Sequence, residues 1–112
     1  MVVDVNRTED SGWTDLDLTA NTSADAKFAI LLLRFHLVAQ GTGSWNLLRV
    51  RKNGTTPTYD SRIYLNNAEP VAVDRTLVTI VGLDSGQVLE YTIDVNQDPT
   101  VSSFIWLLGY IE

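Results

Sequence analysis

Val101-Ser102-Ser103-Phe104-Ile105-Trp106-Leu107-Leu108-Gly109-Tyr110-Ile111 is strand-like and apolar over most of its length. Side chains of a strand alternate between two faces. Strict alternation puts Val101, Ile105, Leu107 and Ile111 on one face and Phe104, Trp106, Leu108 and Tyr110 on the other. Both faces are apolar. The segment Phe28-Ala29-Ile30-Leu31-Leu32-Leu33-Arg34-Phe35-His36-Leu37-Val38 repeats the pattern, with Ile30, Leu32, Arg34 and His36 sharing a face. An antiparallel sheet with one wet side reads apolar-in, polar-out. Two strands that are greasy on both sides need a second cover. In a chain of 112 residues the cover this predicts is another copy of the same chain.

Turn signals divide the rest of the chain into short strands. Leu16 and Leu18 share one face of a strand, with Trp13, Asp15 and Asp17 on the other, and Thr19 to Asp25 reads as a loop. Gly41-Thr42-Gly43 is a turn, and Leu47-Leu48 interrupts alternation in the strand from Ser44 to Lys52, which predicts a bulge there. Lys52-Asn53-Gly54-Thr55 predicts a tight hairpin, since Asn-Gly accepts the positive φ angles of a type I′ turn. Val71 to Val81 alternates. Val88 to Val95 puts Leu89, Tyr91, Ile93 and Val95 inward and Glu90, Thr92 and Asp94 outward. The Ala24 to Leu37 stretch is too dense in Phe, Ile, Leu and Val to be read as a helix. Seven or eight strands at short spacing predict an antiparallel β-sandwich of jelly-roll type. Residues 1–12 are mostly polar and read as an N-terminal arm, and residues 13–112 as a single domain.

Composition bounds the function. An apolar fraction of 45% is that of a folded domain. A net charge of −6 argues against a nucleic-acid partner, which needs clustered Lys and Arg. No run approaches the roughly 20 apolar residues of a membrane span. The first residues lack the basic start and apolar core of a signal peptide, so the expectation is a protein that is soluble and not exported by the usual route. The absence of cysteine excludes disulfides and thiolate metal sites and fits assembly inside a cell.

Catalytic chemistry finds little support. His36 is the only histidine, and no nucleophile elbow accompanies it; its place beside Ile30 and Leu32 suits an interface. Asp94-Val95-Asn96-Gln97-Asp98 opens like a calcium loop, yet Pro99 stands where glycine is needed and Ile105 where the closing Glu belongs. Asp15 and Asp17 read as outward charges. Arg49, Arg51 and Lys52 suit rim salt bridges or a partner contact. No enzyme activity and no cofactor are expected. Trp13 and Trp45, near strand starts, supply the one alternative chemistry: exposed tryptophans on a sandwich can stack on sugar rings.

Gly12-Trp13-Thr14-Asp15-Leu16-Asp17-Leu18, Arg51-Lys52-Asn53-Gly54-Thr55 and Leu107-Leu108-Gly109-Tyr110 together resemble small β-sandwich virion proteins of tailed bacteriophages and prophages, over most of Gly12 to Glu112. The last of these also looks like the closing strand of complement and tumour-necrosis-factor jelly rolls. The resemblance implies a head decoration (cement) protein, or a module of a tail appendage. The expectation is a non-enzymatic homotrimer located in the virion, assembled in the host cytoplasm and bound to the major capsid protein. Phe28, Ile30, Leu32, Arg34, His36, Phe104, Trp106, Leu108 and Tyr110 would build the trimer, and the arm, through Val2, Val3, Val5 and Arg7, would grip the capsid. The alternative is a carbohydrate-binding module of a tail fibre, with Trp13 and Trp45 as stacking platforms.

Overall fold

The computed structural model describes residues 1–7, 10–37, 44–55, 61–67, 73–95 and 101–112, excepting the side chains of residues 6, 7, 44, 45, 66 and 67. Eight strands form: β1 (Val3–Arg7), β2 (Thr14–Asp17), β3 (Phe28–Leu37), β4 (Ser44–Lys52), β5 (Ser61–Asn67), β6 (Val73–Gly82), β7 (Val88–Val95) and β8 (Val101–Ile111). Among the described residues there is no helix. The first sheet has the order β1-β8-β3-β6 and the second β2-β7-β4-β5. Every pairing is antiparallel.

The order has a simple origin. β1 pairs with β8, β2 with β7, β3 with β6 and β4 with β5, so the chain runs as one long hairpin doubled on itself. That hairpin then rolls up, and β3 closes on β8 while β4 closes on β7. This is the jelly-roll β-sandwich.

Alternation builds the core. Ala29, Leu31, Leu33, Phe35 and Leu37 of β3 are fully buried, as are Val101 and Ile105 of β8. Leu48 and Val50 of β4, Leu89 and Ile93 of β7, and Leu65 of β5 meet them from the second sheet. Tyr91 and Val95 pack at the margin of this core, on the inward side that alternation assigns them. Thr79 Oγ1 and Ser61 Oγ, 2.6 Å apart, link the two sheets at the β6–β5 side.

The structure corrects three local expectations. Residues 3–7 are an edge strand, so the expected arm belongs to the sandwich: Val3 is buried, and Val2 and Val5 pack against the core. These valines face their own domain and are not free to reach a capsid; the Arg7 side chain lies outside the described residues. The turn at 52–55 is not of type I′. Thr55 N–H donates to the Lys52 carbonyl at 3.4 Å, and only Gly54 takes a positive φ, of 76°. Described pairing of β4 with β5 begins at Val50 and Ser61. The expected bulge at Leu47-Leu48 is absent, since β4 pairs without a slip on both sides. The register shift lies in β8 instead. Ile30 stands opposite Gly109 and Leu31 opposite Leu107, which leaves Leu108 as the extra residue. Residues 38–43, 56–60, 68–72 and 96–100, which include most of the calcium-like stretch, lie outside the described residues.

Two stability outcomes follow. Phe35→Ala should cost about 3–5 kcal/mol in urea unfolding, because a fully buried ring leaves a cavity between close-packed sheets. Deleting residues 1–7 should also lower the midpoint, by removing Val3 from the core and baring the β8 edge; an unchanged midpoint would restore the arm.

Candidate functional site

The two outer faces of the sandwich have opposite chemistry. On the second sheet, Glu90 and Thr92 of β7 are buried although they point away from the core. Arg49 Nη2 donates to Asp94 at 2.7 Å, and Arg51 Nη2 to Glu90 at 3.3 Å. Gly54 N–H also donates to Glu90, at 2.9 Å. Trp13 lies over this network: the Arg51 guanidinium is 3.6 Å from its ring centroid and that of Arg49 is 5.0 Å away. The sequence reading of Arg49 and Arg51 as salt-bridging residues matches these contacts. It missed that Trp13 roofs them, a relation fixed by the β2–β7–β4 order and invisible in spacing.

A guanidinium at 3.6 Å occupies one face of the Trp13 ring, so that face is not open to a sugar. The Trp45 side chain lies outside the described residues. Asp15 and Asp17 are exposed, as alternation predicts. The Thr19 backbone N–H donates to Asp17 and holds that carboxyl below the usual carboxylate range.

The outer face of the first sheet is apolar. Leu32 of β3 is flanked by Val78 of β6 on one side and Trp106 of β8 on the other. Ile30 stands beside Ile80, and Phe28 is flanked by Gly82 and Ile111. Val78 is 59% exposed, Ile80 57% and Leu108 56%, while Phe28 is 45% exposed. Phe104 and Trp106 stack with ring centroids 5.6 Å apart.

A polar cluster ends this face. Arg34 donates to both oxygens of Asp74 across the β3–β6 pair, the shortest contact being 2.6 Å, and its guanidinium lies 5.6 Å over Phe104. His36 stands opposite Asp74, with Nδ1 3.8 Å from a carboxylate oxygen. The Arg34 hydrogen bonds hold the Asp74 carboxyl below its ordinary range.

Seven of the nine residues expected at the oligomer interface therefore come together here, with Leu108 exposed at the bulge beside them. Tyr110 does not. The bulge at Leu108 reverses alternation beyond it, so Tyr110 stands opposite buried Ala29, on the core side of the sheet, and Ile111 joins the outer face opposite Phe28. Val78 and Ile80 belong to the face and were missed. They are the outward half of β6, a segment for which the sequence reading noted alternation and nothing more.

Among the described residues no group of three or more His, Cys, Asp or Glu side chains is placed to hold a metal ion. Comparison with protein-family models and with curated proteins finds no match to this chain.

Two measurements probe these clusters. Arg51→Ala strips Glu90 of its cation and Trp13 of its stacking partner; with both ionic side chains mostly buried, the expected loss is about 1–3 kcal/mol in chemical denaturation. The pH dependence has a definite sign. Asp84 accepts from the Asn53 side chain and from Val88 and Gly86 N–H, which lowers its pKa, and Asp74 is lowered by Arg34. Groups lowered on folding stabilise the native state above their unfolded pKa, and that contribution disappears as pH falls through the folded one. Unfolding free energy should therefore decline below about pH 4, and less steeply for Asp84→Asn than for the parent.

Proposed function

We propose that this chain is a non-enzymatic structural subunit that associates with copies of itself through the outer face of the first sheet. In this reading it forms a homotrimer that decorates and stabilises a bacteriophage head by binding the major capsid protein. The observation that carries the self-association is the contrast between the two outer faces. One carries ion pairs under Trp13 and a single exposed aromatic, Tyr64 of β5; the other leaves Phe28, Val78, Ile80 and Leu108 about half bare.

Magnitudes favour a covered face. Three strands of about ten residues and β1 of five, spaced about 4.8 Å apart, offer on the order of 550 Å². That approaches the roughly 600 Å² per partner of the smallest stable interfaces. It is also at the upper end of what a monomer leaves exposed as one patch. The arrangement of an apolar centre with Arg34, Asp74 and His36 at its end matches the apolar core and polar rim of protein interfaces. The trimer and the virion role rest on the resemblance of the Trp13, Arg51 and Leu107 segments to phage β-sandwich proteins.

Sedimentation velocity tests the association. The parent chain should sediment as an oligomer at micromolar concentration. Leu108→Asp should dissociate it with little change in the monomer's own fold, because the side chain already meets water. A parent that stays monomeric overturns the reading. Antibody labelling of intact particles from the source of the gene tests location: label on heads is expected, and particles without label overturn the virion role.

A further inference from the structure

Asn53-Gly54, in the turn after β4, is the only Asn-Gly pair in the chain. An asparagine side chain is open to attack by the backbone nitrogen of the residue that follows it, and glycine there has no β-carbon to hinder the approach. The Gly54 nitrogen bonds to Asn53 Cγ, the Cγ–Nδ2 bond breaks, and Nδ2 leaves as ammonia with the proton given up by Gly54 N–H. Water then opens the cyclic imide at either carbonyl, giving aspartate or isoaspartate. The balance is amide plus water to acid plus ammonia.

In the fold both reacting groups are tied to carboxylates. Asn53 Nδ2 donates to Asp84 Oδ2 at 2.7 Å, and Gly54 N–H donates to Glu90 Oε1 at 2.9 Å. Neither acid is free to swing away. Gly86 and Val88 N–H each donate to Asp84 Oδ1 at 2.9 Å, and Arg51 Nη2 lies 3.3 Å from the other oxygen of Glu90. Gly54 must shed its proton to attack, and an anion beside it disfavours the negative charge that the nitrogen would then carry. Asp84 likewise anchors the side chain that must turn toward that nitrogen. Water has access: Gly54 is exposed, and a β-carbon on it would meet no described atom beyond its chain neighbours within 4 Å.

We infer that Asn53 is a deamidation site which Asp84 and Glu90 hold unreactive in the folded chain, and that its conversion to acid frees the turn from the Trp13 face. An acid at this position sets a carboxylate where the amide now donates to Asp84, and two facing carboxylates repel. The isoaspartate product also adds a methylene to the main chain, which draws the Gly54 N–H away from Glu90. Glu90 pairs with Arg51, and Arg51 stacks on Trp13, so the break reaches the outer face of the second sheet. The inference is independent of self-association.

Trypsin cuts after Lys52 and Arg62, and the peptides ending at Arg62 contain no other Asn or Gln, so their mass and retention report on Asn53 alone. At neutral pH the native parent should deamidate at least about tenfold more slowly than the same chain in urea, because a closed turn must open first. Asp84→Asn keeps an oxygen for the Gly86 and Val88 N–H groups but replaces the acceptor facing Asn53 with a donor. Its native rate should rise several-fold over the parent's, beyond what its unfolded fraction in denaturation curves supplies, while the two rates in urea stay equal. Equal native and unfolded rates in the parent overturn the inference, as does a rise in Asp84→Asn no larger than its unfolded fraction allows. Asn53→Asp should lower the urea midpoint at neutral pH, and less so near about pH 4, where the facing acids share a proton. A midpoint equal to the parent's at both pH values overturns the release of the turn.

Discussion

The pairing of β3 with β8 is the contact on which the sandwich depends. All other hydrogen-bonded neighbours in the first sheet are hairpin partners, β1 with β8 and β3 with β6. Without the β3–β8 ladder the sheet separates into two ribbons, and a two-stranded ribbon is at best marginal in water. The ladder runs from Phe28–Ile111 to Leu37–Val101. It sets Leu33, Phe35 and Leu37 of β3 beside Ile105, Ser103 and Val101 of β8, all buried, and supplies the centre of the core. The same ladder sets Leu32 beside Trp106 on the opposite side, so one pairing organises both the interior and the apolar exterior.

The two sheets solve the problem of their outer surfaces differently. The second sheet places Arg49 and Arg51 directly across from Thr92 and Glu90, and the charges close on one another beneath Trp13. The partners are mostly buried, so their hydrogen bonds are worth more than those of an exposed pair. The first sheet offers no such closure except at its Arg34–Asp74 end. Its outward centre, from Phe28 and Ile80 to Leu32, Val78 and Trp106, is hydrocarbon, with Asp4, Thr76 and Ser102 toward its margins. That asymmetry gives the domain a wet side and a dry side, and it underlies the association proposed for it.

Much of this was legible in the sequence, and for identifiable reasons. Period-two patterning in Phe28–Leu37, Val71–Val81 and Val88–Val95 gave the strands and their inward sides, since burial enforces alternation. The greasy character of both sides of the third and last strands was readable for the same reason. What spacing could not supply was non-local. Whether residues 3–7 form an arm or a strand depends on β8 offering an edge almost a hundred residues away. The slip at Leu108 depends on how β8 must bend against β3, and with it the side on which Tyr110 and Ile111 emerge. The cover that Trp13 gives Arg51 likewise arises only when β7 seats β2 near β4.

The rolled-hairpin order carries a kinetic consequence. The first strand hydrogen-bonds to the last, so no complete first sheet exists on the ribosome until the final segment has emerged. Until then Leu31, Leu33 and Phe35 have a β6 partner but lack their β8 neighbour. Topologies dominated by such distant pairings fold on the millisecond-to-second scale. During that interval the nascent chain displays its oiliest strand with one edge open, which places a premium on late, all-at-once closure over stepwise growth from the amino terminus.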